Sequence, residues 1–177
     1  MEDNYQKQTY RNRCYIFGAN GKQLLNIPVQ KKTGKQKTKE IKIDYSENWQ
    51  QVHWRSIKTA YQSSPFFIHY ADDIEAIINQ RHTYLYQMNE KIIKKLLMIL
   101  GLEYQIKSTS DFITVGTHEN DYRFLIHPKQ KSIMVSKSYD QVFEEKNGFL
   151  ADLSVLDLIF NLGPEALLYL QDAKIVR

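Results

Sequence analysis

The sequence predicts an α+β fold: a single domain over residues 1–177, with an N-terminal β-hairpin or small mixed sheet packed against several helices and a helical C-terminus. The hairpin is indicated by Asn20-Gly21 between two apolar segments, residues 12–18 and 23–29, because both turn residues tolerate positive φ. Helices are indicated where apolar residues recur at helical spacing, over residues 47–61, 65–78 and 84–100. A chain of 177 residues is long enough to bury one core.

The segment between the hairpin and the first helix begins with a lysine-rich stretch and continues with residues that alternate between polar and apolar. Residues 31–39 contain five lysines and no apolar residue, which predicts a solvated connection or, as the functional alternative, a flexible lid that attracts anions. Residues 40–44 alternate between polar and apolar side chains and predict a short strand. Ser46 follows, and its hydroxyl is expected to cap the helix over residues 47–61.

The next two helices carry recognisable boundary residues. Pro65 suits the first position of the second helix, because its ring fixes φ at a helical value. Gly101 is expected to end the third helix, because glycine accepts the left-handed conformation common there. Beyond it, residues 104–107 and 112–115 are predicted to form short strands.

The last third of the chain is predicted to be helical. Asp152 or Ser154 can cap an apolar helix that continues through Phe160. Residues 163–165, Gly-Pro-Glu, end that helix and start a final one over residues 166–170.

Composition excludes several classes of protein. Hydrophobic residues make up 42% of the chain and charged residues 25%, the balance of a soluble globular domain. No apolar run approaches the roughly 20 residues of a membrane span, and the N-terminus lacks the pattern of a signal peptide. The single cysteine, Cys14, excludes an internal disulfide and a Cys-rich zinc site, and it fits a reducing cytoplasm. Because no base lies beside it in sequence, a buried structural thiol is favoured over a nucleophile.

Charge is distributed unevenly along the chain. The net charge is +4, but residues 1–60 carry twelve Lys and Arg against five Asp and Glu, whereas residues 140–177 carry three against seven. A basic N-terminal part and an acidic C-terminal part favour an anionic ligand bound near the N-terminal part. Nucleic acid is an unlikely partner, because no binding motif for it is present and +4 is modest.

Three cations lie within seven residues at the start of the chain: Lys7, Arg11 and Arg13. If this segment is extended, all three share one face of a strand with Thr9. Arginine offers a planar fork of donors that matches carboxylate or phosphate, and lysine adds a movable charge. The segment is therefore either an anion site or a solvated basic strand.

The first predicted helix carries a histidine among large aromatic residues. Trp49 and His53 lie four apart and share a helical face, and Trp54 and Tyr61 lie on the adjoining face. The structural interpretation is a core face with a satisfied histidine. The functional interpretation makes His53 an acid, a base or a ligand-binding group, since its pKa lies near working pH.

A second pair of polar residues interrupts the apolar C-terminal helix. Asp157 and Asn161 lie four apart on one helix face, so inside a core each needs a partner. That partner is either a neighbouring loop, which makes the pair structural, or one of Arg11, Arg13 and His53 or a substrate, which makes it functional.

Several short blocks of sequence carry a combined resemblance. They run from Tyr5 to Cys14, Gly18 to Gly21, Ile27 to Val29, Asn48 to Ile57, Tyr61 to Phe67, Tyr70 to Asp73, Tyr139 to Phe143, Gly148 to Leu150 and Leu153 to Glu165. Together, in this order and over essentially the whole chain, these blocks resemble the WbqC-like protein family. Members usually carry a further apolar strand ahead of the Lys/Arg block, and this chain begins almost at that block. The domain is therefore expected to lack the family's usual N-terminal strand segment.

The resemblance implies a role in building-block biosynthesis for bacterial surface polysaccharide and O-antigen, as an acyl- or aminoacyl-type transferase acting on an activated sugar. The implied substrate-binding residues are Lys7, Arg11, Asn12, Arg13, Trp49, Trp54, Tyr61 and Asn161, and the implied catalytic residues are His53 and Asp157. The cations would bind phosphates of a nucleotide- or lipid-linked sugar or of an activated acyl donor. The aromatic rings would stack on a sugar or base. His53 would be the general acid or base, and Asp157 with Asn161 would orient it or bind sugar hydroxyls.

The same residues also fit a protein without catalytic activity. A binding module would hold a phosphorylated or nucleotide-linked ligand, or a partner enzyme, and would not need His53 for proton transfer. The sequence has no metal-ligand spacing, identifies no cofactor and leaves the oligomeric state open.

Overall fold

The predicted α+β class is confirmed by the computed structural model, which describes residues 2–31, 33–107, 109, 111–114, 121–123, 125–135 and 137–175. Its strands are β1 (Arg13–Gly18), β2 (Gly21–Asn26), β3 (Met134–Val135) and β4 (Lys174–Ile175). Its helices are α1 (Trp49–Tyr61), α2 (Phe67–Asn79), α3 (Leu85–Ile99), α4 (Glu144–Asn147), α5 (Val155–Leu162) and α6 (Ala166–Asp172). Short 3-10 turns cover Thr38–Glu40 and Gly163–Glu165.

The N-terminal hairpin forms where the turn residues predict it. β1 and β2 pair antiparallel with Gly18 opposite Gly21, and Gly21 has φ +101°. That conformation is accessible to glycine without a steric cost. Both strands are shorter than predicted at their outer ends, because β2 stops before Pro28, which has no N–H to donate to a ladder. β3 and β4 pair separately, as a second two-stranded sheet.

The core lies between the hairpin and helices α1, α2 and α5. It contains Ile16, Leu25, Ile57, Ala60, Tyr61, Ile74, Ile78 and Phe160. The Tyr61 hydroxyl accepts a hydrogen bond from the Phe17 backbone N–H at 3.0 Å, which ties α1 to β1. The Phe66 N–H donates to the Phe160 carbonyl at 3.0 Å, which ties the start of α2 to α5.

The prediction of a strand over residues 40–44 is wrong. Only isolated bridges form there, between Val29 and Ile43 and between Lys42 and Tyr84. Ile43 is 2% exposed, so its apolar side chain serves to anchor an irregular segment on the core.

Two other local predictions also differ from the structure. Ser46 does not cap α1, because α1 begins only at Trp49 and the N-cap position is Asn48. The Ser46 N–H instead donates to the Asp44 carboxylate at 2.9 Å. The described parts of residues 104–107 and 112–115 form no strand, and Val115 lies outside the described residues, as does Lys32 of the lysine-rich loop. Ser154, in contrast, caps α5 as predicted by accepting a hydrogen bond from the Leu156 N–H.

Gly163, between α5 and the next turn, should tolerate no side chain. Its φ is +53° with ψ −121°, and a Cβ there would overlap Cδ1 of Phe66. Gly163→Ala therefore combines backbone strain with overlap in a packed region, and we expect a loss of about 3 kcal/mol. For a chain of this size that corresponds to a fall in melting temperature of roughly 6–12 °C, measurable by circular dichroism.

Gly101→Ala is the matched control for this substitution. Gly101 also has positive φ, +70°, but an added Cβ would meet nothing within 4 Å. Only the left-handed backbone penalty of about 1–2 kcal/mol remains there. Equal losses for the two variants would contradict the role given to Phe66.

Candidate functional site

A cavity of about 290 Å³ lies where β1 faces helices α1, α2 and α3. We call it the first cavity. Its polar lining includes Arg11, Asn12, Arg13, His53 and Asn89, and its aliphatic lining includes Ile57, Ile74, Ile77, Met88, Ile92 and Leu96. Four of the site residues predicted from sequence thus share one cavity, at the lower end of the volumes typical of small-molecule sites.

The Lys/Arg block reaches this cavity through a turn. Residues 7–12 form turns and bends, Gln8 has φ +62°, and β1 begins only at Arg13. The Thr9 hydroxyl donates to the Gln6 carbonyl at 2.9 Å. The interpretation of an extended segment with three cations on one face is therefore wrong. Lys7 is exposed and lies outside the lining of the first cavity.

Arg11 is held in place by two contacts. Its Nη2 donates to Oδ2 of Asp3 at 2.9 Å, and both side chains are about 20% exposed. Its carbonyl accepts a hydrogen bond from Nδ2 of Asn89 on α3 at 2.8 Å. Part of the Arg11 charge is thus already balanced by Asp3. This ion pair was not predicted, because two residues eight apart in sequence leave no periodic pattern.

Two polar atoms at the N-terminal side of the first cavity are buried without a hydrogen-bond partner in the described part of the chain: Nε of Arg13 and Oδ1 of Asn12. The Asn12 amide is fixed, because its Nδ2 donates to Oδ1 of Asn26 and to the Ile27 carbonyl, each at 3.0 Å. A buried polar group without a partner costs roughly 1–3 kcal/mol. Both atoms are closed to solvent, so they make this wall of the first cavity polar without being groups that a ligand contacts directly.

His53 presents a neutral imidazole to the first cavity. Burial lowers the pKa of His53 below its usual value, and the hydrogen bond with the Asn26 backbone opposes that shift. Trp49 packs edge-on against the ring with centroids 5.1 Å apart. A neutral ring at pH 7 can accept a proton, which is the state a general base requires.

The three aromatic residues predicted to stack on a ligand lie elsewhere. Trp49 is 5% exposed and is packed between Tyr45 and His53, so it orients the histidine. Tyr61 is completely buried, and Trp54 stacks on Phe67 at 6.1 Å. Trp49 and Tyr61 are therefore too deeply buried in this structure for a sugar to stack on their rings. Trp54 lies outside the lining of the first cavity.

Asp157 and Asn161 form a structural network. Asp157 is fully buried, and its Oδ2 accepts hydrogen bonds from the Tyr139 hydroxyl at 2.6 Å and from Nε2 of Gln141 at 2.8 Å. Burial raises the pKa of Asp157 above its usual value. Asn161 donates to the Asp157 carbonyl within α5 at 2.8 Å. The prediction that this pair contacts the arginines or His53 is wrong, because α5 turns both side chains away from the first cavity.

A second, larger cavity of about 660 Å³ was not predicted from the sequence. We call it the second cavity. Its aromatic lining is Tyr10, Tyr15, Tyr122, Tyr139, Phe149 and Tyr169, drawn from four separate parts of the chain. The only signal in the sequence is the high count of 12 tyrosines.

The two cavities have three lining residues in common: Tyr10, Cys14 and Ser154. Burial raises the pKa of the Cys14 thiol to about 11, so the group is protonated at neutral pH, as expected of a structural thiol. The Ser154 N–H donates to the Tyr15 carbonyl at 2.7 Å, which fixes the start of α5 against β1 at this border.

The described residues contain neither a membrane-spanning helix nor a cluster of metal ligands. No described helix combines the length and the apolar character needed to cross a membrane. Within the same residues, no group of three or more His, Cys, Asp or Glu side chains is placed to hold a metal ion.

Comparison with known proteins places the sequence in one family. The chain is 28% identical over 195 residues to the uncharacterized protein Rv1507c of Mycobacterium tuberculosis strain ATCC 25618 / H37Rv, an alignment that covers 94% of this chain and 84% of the relative. No solved structure matches the chain. The sequence model of the WbqC-like protein family matches residues 2–131, which is most of the chain. This range includes every lining residue of the first cavity except Ser154 and Leu156. The chain therefore belongs to the WbqC-like protein family.

Proposed function

We propose that this WbqC-like protein is a cytoplasmic acyl- or aminoacyl-type transferase that serves building-block biosynthesis for bacterial surface polysaccharide or O-antigen. The first cavity would bind the anionic activated substrate, either an activated acyl donor or a nucleotide- or lipid-linked sugar. One observation carries the proposal: two arginines, a fixed amide and a neutral histidine converge on a single cavity with an aliphatic wall.

The cationic end of the cavity supports binding of a phosphate or carboxylate. Arg11 and Arg13 both line this end of the cavity, and a guanidinium group offers several donors to an anionic oxygen. Hydrogen bonds to charged groups are worth about 1.5–3 kcal/mol each, more than neutral ones. The facing aliphatic wall, with Ile77 and Leu96, suits the apolar part of an acyl group.

His53 would supply the proton transfer. In the proposed step an acceptor hydroxyl or amine attacks the acyl carbonyl carbon, and His53 takes the proton that the acceptor loses. The new C–O or C–N bond forms as the bond to the activating group breaks, and that group leaves with the electron pair. The lowered pKa of His53 keeps the imidazole free to accept the proton at neutral pH.

A thermal-shift panel tests binding. We expect one class among nucleotide sugars, acyl and aminoacyl thioesters or phosphates, and plain phosphates to raise the melting temperature. A hundredfold excess over the Kd adds about 2.7 kcal/mol of stability, or roughly 5–10 °C for a chain of this size. Arg13→Met keeps the apolar stem and removes the charge, and it should weaken binding of the same compound by about 10- to 150-fold.

Arg55→Met is the matched control, because Arg55 lies exposed on α1 and outside both cavities. It should leave the shift unchanged. An equal loss in both variants would overturn the anion site. A ligand that binds through Arg13 but is never converted would support the non-catalytic binding module instead.

A further inference from the structure

We propose that the second cavity binds the sugar acceptor, as a pyranose ring lying on tyrosine faces. The inference rests on the proposed transferase function, but it concerns a separate set of residues. The second cavity has more than twice the volume of the first, 660 against 290 Å³, and is large enough for one or two hexose units.

The lining of the second cavity differs in chemistry from that of the first. Both cavities have aliphatic residues in their walls, but the second is also lined by five tyrosine rings and one phenylalanine ring, whereas the first has one tyrosine, Tyr10. A pyranose has apolar C–H faces that pack on aromatic rings and equatorial hydroxyls that need hydrogen-bond partners. Tyrosine suits that combination, because it joins an apolar ring to a polar tip.

Polar groups beside these rings can form hydrogen bonds with the sugar hydroxyls. Asp152 and Lys22 line the cavity, one an acceptor and the other a donor. Asp152 adopts φ +59°, an uncommon conformation for a residue with a side chain. Asp152 and Tyr10 both line the second cavity, and burial together with the Asp152 charge raises the pKa of the Tyr10 hydroxyl.

The shared border would hold the acceptor in the second cavity next to the activated substrate in the first. Tyr10, Cys14 and Ser154 line both, so ligands in the two cavities meet along one line of side chains. Tyr10 is 39% exposed, so its ring can move without loss of core packing. A transferase needs its two substrates adjacent, and within the described residues this border is where the two cavities adjoin.

The inference is tested by NMR titration of the ¹⁵N-labelled full chain with methyl hexopyranosides, cyclohexanol and uridine. We expect at least one glycoside to shift the amide signals of second-cavity residues, with a Kd in the millimolar range. Cyclohexanol, which has the ring but one hydroxyl, should bind at least tenfold more weakly. Binding of uridine alone, equal binding of cyclohexanol, or no shift by any glycoside up to about 50 mM would overturn the proposal.

Variants separate this site from the first cavity. Tyr15→Ala removes one ring and should weaken glycoside binding five- to tenfold. Asp152→Gly removes the carboxylate at a position where glycine relieves the backbone, and it should weaken binding by a similar factor even if Tyr15→Ala fails to fold. Arg13→Met should leave glycoside binding unchanged.

The two proposals can fail independently. Glycoside binding at the second cavity without any response to activated compounds would overturn the transferase and leave the sugar site. A response to activated compounds through Arg13 without glycoside binding would overturn the sugar site and leave the first cavity.

Discussion

His53→Ala is expected to lower the turnover of the activated compound selected by the thermal-shift panel by about 10²- to 10⁴-fold, the range for loss of a general base. The Kd of that compound should stay within a few-fold, because Arg11 and Arg13 remain in the first cavity. Product formation at saturating substrate measures the first effect, and isothermal calorimetry measures the second. This split between turnover and binding is what distinguishes an enzyme from a binding module.

The pH dependence of the native chain gives an independent check on His53. Burial lowers the pKa of His53 below its usual value, so the ring is a free base at pH 7 and becomes protonated only as the pH falls further. Turnover should therefore fall on the acid side, with an apparent pKa below that of an exposed histidine. His53→Gln is the control, because an amide can keep the contact with Asn26 but cannot accept a proton. Unchanged turnover in either variant would exclude His53 as the base.

Local signals in the sequence account for the parts of the fold that were predicted correctly. Asn20-Gly21 forms the hairpin turn, Gly101 ends α3, and Ser154 caps α5, because each depends on a neighbour within a few residues. Helical spacing likewise identified α1, α2 and α3 to within a few residues of their observed bounds. These features follow from backbone conformation and hydrogen bonding close in the chain.

The turn at the Lys/Arg block depends on contacts that are distant in sequence. Asn89 on α3 holds the Arg11 carbonyl, and Asp3 takes part of the Arg11 charge. Neither contact has a local signature, so an extended segment was the simplest expectation. The segment nevertheless brings Arg11 and Arg13 to the lining of one cavity, while Lys7 lies outside that lining.

Helical periodicity also could not decide which side of α1 faces the cavity. Trp49 and His53 share a face, but Trp49 is buried in the core while His53 reaches the cavity lining. The aromatic residues that do line a cavity come from separate segments, among them Tyr15 in β1 and Phe149 after α4. Spacing within one element contains no information on such an assembly.

Asp157→Ala is expected to cost about 2–4 kcal/mol of folding stability. The substitution leaves the Tyr139 hydroxyl and the Gln141 amide without their buried acceptor, at roughly 1–3 kcal/mol for each unsatisfied group. Removal of a buried carboxylate offsets part of that loss. The melting temperature should fall by roughly 4–16 °C, measured by calorimetry.

Asp157→Asn is the control, because an amide oxygen can still accept from both donors and no group titrates. The folded-state pKa of Asp157 lies above its unfolded value, since burial disfavours the charged form. The native chain should therefore gain stability relative to Asp157→Asn as the pH falls from 7 toward 4. A difference that stays constant with pH would contradict the buried carboxylate.

The same network connects Asp157 to the wall of the second cavity. Gln141 donates to the Leu150 carbonyl and accepts from the Leu150 N–H, each at 2.9 Å, next to Phe149. Tyr139, bound to Asp157, packs edge-on against Phe149 with centroids 5.3 Å apart. Asp157→Ala should therefore also weaken glycoside binding, while the Arg13-dependent binding in the first cavity persists below the melting temperature. Loss of both at once would mean that Asp157 supports the whole domain equally.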